Sequence, residues 1–351
     1  MYTEDDIIAS AHWLAEAKHV LVVAGAGMSA GCGVDYTSPE QFARLYPGML
    51  QHGFNTAYEC VGLIAEGEPE RLLWGYLSHH IPHMRFESVP HSGYATLREL
   101  VESKDYFVLT SNVDGLFERS GFDPERVYTP QGDFRFLQCA LPCSDTVVES
   151  KDHCWRLRQG DSFDPETFQI RPGVDLPRCQ HCGGHMSPNV RGGPNFVHKP
   201  YAEMGERLLA WVKGIIQDEG DLFVIEIGAG FNTPTVTRFP AESIARAHPR
   251  SSFVRVNPLA AVVPRDLQRA VGFPLKGDDL IQRIAAVPQE GRAEASQRVL
   301  DGRDAARKEK EQQHHADMYE RFKERYGHFD FEVFLSQLAT NNDRKLSYFH
   351  N

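Results

Sequence analysis

Apolar residues follow two rhythms along this chain. Short, largely apolar runs at residues 20–23, 106–110, 222–227 and 252–256 are each bounded by glycines or amide-bearing turns, the pattern of strands buried on both faces of a parallel sheet. Helical spacing fills the intervals. Ile7, Ile8, Ala11, Trp13, Leu14 and Ala17 predict a helix over residues 4–18 with Thr3 as its N-cap, and Leu97, Leu100 and Val101 one over 90–103. Leu208, Leu209, Trp211, Val212, Ile215 and Ile216 predict a third over 207–217, and Ile281 and Ile284 a fourth, capped by Asp278 or Asp279. Strands alternating with helices imply an α/β fold. Residues 36–90 break the rhythm with aromatic-rich helical patterns, which predicts an inserted helical lobe; its His79, His80 and His83 have no Cys or carboxylate nearby and are assigned to a partly solvated helix end. Residues 292–313 are dense in Arg, Lys, Glu, Gln and Ala with no wide apolar stripe, and predict a solvated helix or linker. Beyond them Met318, Tyr319, Phe322, Tyr326, Phe329, Phe331, Phe334 and Leu335 form an amphipathic aromatic pattern suited to docking.

The chemistry gathers where the apolar runs stop. The first ends in Gly25-Ala26-Gly27-Met28-Ser29, where glycines without Cβ atoms are expected to turn through positive φ and bring backbone N–H groups to a diphosphate. A dinucleotide is the implied guest, although Gly31 arrives one residue late for the G-x-G-x-x-G fingerprint. The second run ends in Thr110-Ser111-Asn112-Val113-Asp114-Gly115-Leu116, with an amide and a carboxylate two residues apart that serve either a ligand or the next helix as caps. The others end in Gly228-Ala229-Gly230, followed by Asn232-Thr233-Pro234, and in Asn257-Pro258. Four such endings place a ligand at one sheet edge.

Cysteine and charge narrow the class. Of seven Cys, Cys139 and Cys143 form one close pair and Cys179 and Cys182 another, followed by the knuckle-like Gly183-Gly184. Four thiolates close a tetrahedral Zn²⁺ site with no open position, so its zinc is structural, with residues 144–175 looping out between the pairs. Two other readings stand: reduced buried thiols, or Cys154 in place of one ligand. A net charge of −11 over 351 residues argues against a general nucleic-acid or anionic-membrane binder. No apolar run approaches the roughly 20 residues of a membrane span, and the first residues carry no leader pattern, so the expected location is the cytoplasm.

With these residues in view, the chain resembles the sirtuins over roughly residues 5–285. Gly25-Ala26-Gly27-Met28-Ser29 with Gly33 is similar to their GAG-x-S…G loop, and residues 110–116 to T-Q-N-I-D-x-L. The two Cys pairs, Gly228 to Pro234 and Val256-Asn257-Pro258 match the zinc module, G-T-S-x-x-x-P and I-N-x-x in the correct order. The resemblance implies a Rossmann-like NAD domain over residues 1–288, with a helical insertion at about 36–90, a zinc module at about 132–200 and a charged linker and helical tail at 289–351. It departs at the chemistry. Gln131-Gly132 stands where deacylating sirtuins have His-Gly, and a glutamine amide cannot take the ribose proton at neutral pH. Val34-Asp35-Tyr36-Thr37 replaces I-P-D-F-R, Ser111 replaces Gln, Gly230 replaces a serine, and residues 188–193 keep only the start of the acyl-peptide cleft motif.

That combination is similar to the macrodomain-linked, class M sirtuins, described as protein ADP-ribosyltransferases. The implied activity is transfer of ADP-ribose from NAD to a protein side chain, possible acceptors including a lipoyl-carrier protein. The resemblance assigns Asn112, Asp114 and Gln131 to catalysis and Gly25, Ala26, Gly27, Ser29, Asp35, Tyr36, Ser111, Gly228, Ala229, Gly230, Asn232, Asn257 and Asp278 to NAD. Cys139, Cys143, Cys179 and Cys182 would hold Zn²⁺. An NAD glycohydrolase, a residual deacylase and a non-catalytic NAD or ADP-ribose sensor are the alternatives.

Overall fold

The computed structural model describes residues 2–33, 35–60 and 69–306. Its centre is a parallel sheet built from β1 (His19–Ala24), β2 (Asp105–Thr110) and β3 (Val127–Tyr128) with β9 (Leu222–Ile227), β10 (Ser251–Val256) and β11 (Ala270–Phe273), in the order β11-β10-β9-β1-β2-β3. The two-residue period of a strand explains how β1 is buried throughout. Val20, Val22 and Ala24 join Ile7, Trp13, Ile281 and Ile284 on one face, whereas Leu21 and Val23 join Leu208, Val212 and Ile244 on the other. Register then aligns the strand ends: Ala24 pairs with Thr110 and Ile227, and Ile227 with Val256. The four endings read from the sequence therefore share one edge.

The helix Glu4–Glu16 starts as predicted, with Thr3 and Asp6 in a reciprocal capping box. The helix Lys199–Gln217 starts earlier than residue 207, because Tyr201 and Gly205 extend the buried stripe of Leu208, Val212 and Ile215 by further turns. Asp278 and Asp279 lie in the first turn of Gly277–Ala286, whose N-cap is Lys276, so neither caps it by a side-chain bond.

Between β1 and β2 the chain forms the helices Pro39–Leu45, Glu70–Ile81 and Ser92–Val101, with a π-helical turn at Pro82–Glu87. After β3, β4 (Gly132–Cys139), β5 (Val147–Glu149) and β8 (Met186–Val190) make an antiparallel sheet ordered β5-β4-β8. Residues 144–175 do not loop out. They form the helix Lys151–Arg158 and the hairpin of β6 (Phe163–Asp164) and β7 (Gln169–Ile170), both packed on Glu70–Ile81. Phe168 explains the docking: a Cβ on Gly75 would lie 2.0 Å from the Phe168 carbonyl oxygen, so only glycine admits this approach.

His80 is buried rather than solvated. Its Nδ1 lies 2.9 Å from the Tyr46 hydroxyl and 3.0 Å from that of Tyr76, and burial lowers its pKa to about 3, so the ring is neutral. His83 bonds through Nε2 to the Gly33 carbonyl. The helix Arg292–Ala306 is also not merely solvated: it lays Ala295, Ser296 and Val299 against Glu4–Glu16, with Trp13 Nε1 donating to Ser296 Oγ at 2.8 Å and Arg298 forking onto Asp5. The predicted docking pattern at 318–335 lies outside the described residues.

One set of charges was not anticipated. Glu226 and Arg255 are register partners on β9 and β10, both buried, and Arg255 Nε and a terminal nitrogen reach the two Glu226 oxygens at 2.7 and 2.6 Å. Arg255 also donates to Glu242 at 2.8 Å, and Arg238 lies 3.7 Å from Glu226. Removing Arg255 would leave two buried carboxylates short of their main counter-charge. Arg255→Met should therefore lower unfolding stability by about 3 kcal/mol or more in a denaturant titration; a midpoint equal to that of the parent would show that the network is not held at this cost.

Candidate active site

The edge is closed by two loops that touch backbone to backbone. A Cβ on Gly25 would lie 2.7 Å from Ala229 Cα, one on Gly27 2.7 Å from Gly228 Cα, and one on Gly228 2.5 Å from the Gly27 backbone. Gly27 N–H donates to Gly228 O at 3.0 Å and Gly25 N–H to Ile227 O at 2.9 Å. The expectation for Gly25 and Gly27 is corrected here. Gly25 is extended at φ −117° and Gly27 is not among the positive-φ residues, so what these positions require is room for the facing loop. The left-handed residues are Gly228 at φ +61° and Gly33 at φ +76°. Ala26 and Gly27 form the exposed rim of the first loop.

Behind that rim lies a buried polar cluster. Ser29 Oγ–H donates to Asp114 Oδ2 at 2.6 Å, accepts from Asn112 Nδ2 at 2.9 Å and lies 3.1 Å from the Tyr94 hydroxyl. Asn112 Nδ2 also donates to Gly25 O at 3.0 Å, and Asp114 Oδ1 accepts from Leu116 N–H at 2.9 Å. Burial pushes the Asp114 carboxyl above its usual range, while the Ser29 hydroxyl and the Leu116 amide hold it down. Asn112 and Asp114 are thus tied to the glycine loop rather than serving only as caps.

Gln131 is half-buried in the turn before β4. Gly132 sits at φ +99°, where any Cβ would lie 2.1 Å from Asn189 O, and Gln131 O accepts from Arg191 N–H at 2.8 Å. Phe134 N–H donates to Val113 O at 3.0 Å, which docks the strand following Gln131 onto the turn of Asn112 and Asp114. An amide there can donate and accept hydrogen bonds but cannot serve as a general base at neutral pH.

The other predicted positions fall in different places. Ser111 is half-buried beside β1, its N–H on Ala24 O. Gly230 and Asn232 are exposed beyond Ala229. Asn257 Nδ2 donates to Ala229 O at 2.9 Å and its Oδ1 accepts from the N–H groups of Leu259 and Ala260, so it shapes the second loop. Arg238 adds a bond to the same Ala229 oxygen at 2.9 Å. Asp35 turns its carboxylate to Thr37 N and Oγ1, and Tyr36 packs edge-on to His80. Asp278 is half-buried near Gly93 and Cys32.

Tyr94 escaped the sequence reading because a tyrosine at a helix start carries no spacing signal. The four Cys sulfurs lie within 4.8 Å of one another, with Cys139–Cys182 at 3.7 Å and Cys143–Cys179 at 3.5 Å. Tetrahedral Zn–S bonds of about 2.3 Å require sulfur separations of about 3.8 Å, so the donor set fits such an ion. Cys154 is buried in the helix Lys151–Arg158, outside this group.

No family model matches the chain. It is 34% identical over 256 residues to a Fusarium oxysporum f. sp. cubense protein named "Probable bifunctional ADP-ribose hydrolase/ADP-ribosyltransferase", covering 70% of this chain and 41% of that protein. The chain thus spans about two fifths of that relative. It is 25% identical over 254 residues to a protein ADP-ribosyltransferase of Staphylococcus aureus, covering 72% of this chain and 78% of that one. An NAD-dependent protein deacylase 2 of Pseudomonas aeruginosa is 27% identical over 54% of this chain and 66% of its own. Among solved structures, a Sir2 homologue mutant with 2′-O-acetyl ADP-ribose superposes with a TM-score of 0.53 at 17% identity, over 83% of this chain and 96% of that one. A structure from work on the mechanism and regulation of Sir2 enzymes gives a TM-score of 0.51 at 20% identity, over 85% and 100%. The chain thus shares the Sir2 fold, and its motif order and these relatives make it similar to the sirtuin family.

Proposed function

We propose that this protein is an NAD-dependent protein ADP-ribosyltransferase. The bond between nicotinamide and C1′ of the ribose breaks, a bond from an acceptor side chain to C1′ forms, and the acceptor's proton leaves to solvent or a nearby base. The observation that carries this reading is Gln131. Its strand docks on the Asn112–Asp114 turn through Phe134 N–H, and a glutamine amide at this position can orient ribose hydroxyls but cannot remove the proton that deacylation requires. The names of the Fusarium and Staphylococcus relatives support the same activity.

In this reading Asn112 orients the ribose or acceptor, Asp114 the nicotinamide carboxamide and Gln131 the ribose hydroxyls. The exposed rim of Ala26 and Gly27, backed by Gly25 and Ser29 and faced by Gly228, Ala229 and Gly230, takes the diphosphate; Asn257 acts by shaping that second loop. Asp35, Tyr36, Ser111, Asn232 and Asp278 complete the surround. The macrodomain-linked subtype, a lipoyl-carrier acceptor and a cytoplasmic location belong to this proposal; no described helix is long and apolar enough to cross a membrane. Cys139, Cys143, Cys179 and Cys182 hold a structural zinc.

Incubation with labelled NAD and cell extract should give free nicotinamide and protein-bound label together, with both falling about tenfold or more in Asn112→Ala and Gln131→Ala. Nicotinamide without bound label would replace the transferase by a glycohydrolase; NAD binding with neither product would replace it by a sensor. Native mass spectrometry should find one zinc per chain, and Cys143→Ser should lose it and lower the melting temperature. A zinc-free parent with an unchanged melting temperature would remove the metal from the proposal.

A further inference from the structure

Arg85, from the π-helical turn of the helical lobe, is buried against the site. Its Nε donates to Asp133 Oδ1 at 2.7 Å and one terminal nitrogen to Asp133 Oδ2 at 3.2 Å, a fork onto the carboxylate two residues past Gln131. The same terminal nitrogen reaches Glu118 Oε2 at 3.2 Å. The guanidinium also lies flat on the end of the Asn112–Asp114 turn. Gly115 is left-handed at φ +65°, which itself favours glycine, and a Cβ there would stand 2.2 Å from Arg85 Cζ, so a side chain at this position would displace the guanidinium. Arg119 in turn holds the arginine's own turn, donating to Arg85 O and Ser88 Oγ at 3.1 Å.

The charges make this more than packing. Asp114, Glu118 and Asp133 come from the catalytic turn, the short helix Leu116–Arg119 and β4, and burial pushes each carboxyl upward. Arg85 lowers all three. Asp133 Oδ1 also accepts from Arg135 N–H at 2.6 Å, which fixes the strand just beyond Gln131. The turn bearing Asn112 and Asp114 and the turn bearing Gln131 are joined directly by one backbone bond, Phe134 N–H to Val113 O; Arg85 clamps both from the side of the lobe.

We propose that Arg85 is a positioning residue for ADP-ribose transfer, holding the Gln131 turn in register with the Asn112–Asp114 turn through its fork on Asp133 and its contact with Gly115. The inference rests on the transferase reading. A lysine carries the same charge but cannot make the fork or lie flat on a backbone, so it does not substitute. The adenosine-diphosphate half of NAD is assigned to the glycine loops, away from this clamp, so its loss acts on turnover more than on NAD capture.

Steady-state nicotinamide release, NAD calorimetry and thermal melting on the full chain test this with Arg85→Lys, Arg85→Met and Asp133→Asn. Arg85→Lys should lose about tenfold or more in kcat while KM and Kd for NAD stay within about threefold, because a misplaced group costs rate before affinity. Asp133→Asn keeps an acceptor for Arg85 Nε and Arg135 N–H and should fall in between. If Arg85→Met does not fold, the Arg85→Met/Asp133→Leu double variant removes the carboxylate that Arg85 forks onto; it should regain melting temperature without regaining kcat. An Arg85→Lys variant with parental kcat, or one whose loss lies wholly in KM, overturns the positioning role and leaves the transferase standing. A parent protein that binds NAD but releases no nicotinamide overturns the transferase reading and this inference with it.

Discussion

Two loops from strands adjacent in the sheet but some 200 residues apart in sequence occupy almost the same space, and most of the site's geometry follows from that contact. Because Gly25 and Gly27 meet Gly228 and Ala229 without an intervening side chain, the ends of β1 and β9 are held at a fixed separation. Asn112 reaches across to the Gly25 carbonyl from the β2 side, and Asn257 and Arg238 converge on the Ala229 carbonyl from the β10 side. Each backbone group is held by a partner from a different segment. The rim of Ala26 and Gly27 is thus shaped before any ligand arrives, the condition under which fixed dipoles act without reorganisation.

Behind the rim, one hydroxyl sets the direction of the hydrogen bonds. Ser29 donates to a carboxylate, so the amide of Asn112 must donate to it and the Tyr94 hydroxyl is oriented toward it. Asn112 then has its Nδ2 engaged twice and its Oδ1 as the remaining polar end. Burial raises the Asp114 carboxyl, and the Ser29 hydroxyl, the Leu116 amide and the nearby Arg85 work against that rise. A site made of amides and a held carboxylate orients and stabilises; it lacks a base poised near neutrality at the position of Gln131.

Four strands of the sheet were legible in the sequence because strands buried on both faces leave largely apolar runs, and the edge because each run stops at glycine or an amide; β3 and β11 are too short to leave such a run. The Cys pairs announced themselves by spacing. Harder to see were contacts that depend on register or on distant segments. Glu226 inside Leu222–Ile227 and Arg255 inside Ser251–Val256 each look like a local violation, and only parallel pairing of β9 with β10 turns them into partners. Arg85 and Asp133 are 48 residues apart on elements from different layers. The role of Gly25 and Gly27 was misread for a related reason: the lack of a Cβ signals close approach without saying what approaches. Arg292–Ala306 hid its docking because small residues, Ala295 and Ser296, form the buried face.

The buried charges of β9 and β10 also constrain how this sequence can change over time. Losing Arg255 takes from Glu226 and Glu242 the counter-charge they share, whereas exchanging the whole set for apolar residues of similar volume is often neutral or favourable in proteins. Single steps between those two states lead downhill and only a concerted one leads across. The network is therefore an evolutionary trap centred on Arg255, which cannot be exchanged by itself without stranding its two carboxylates.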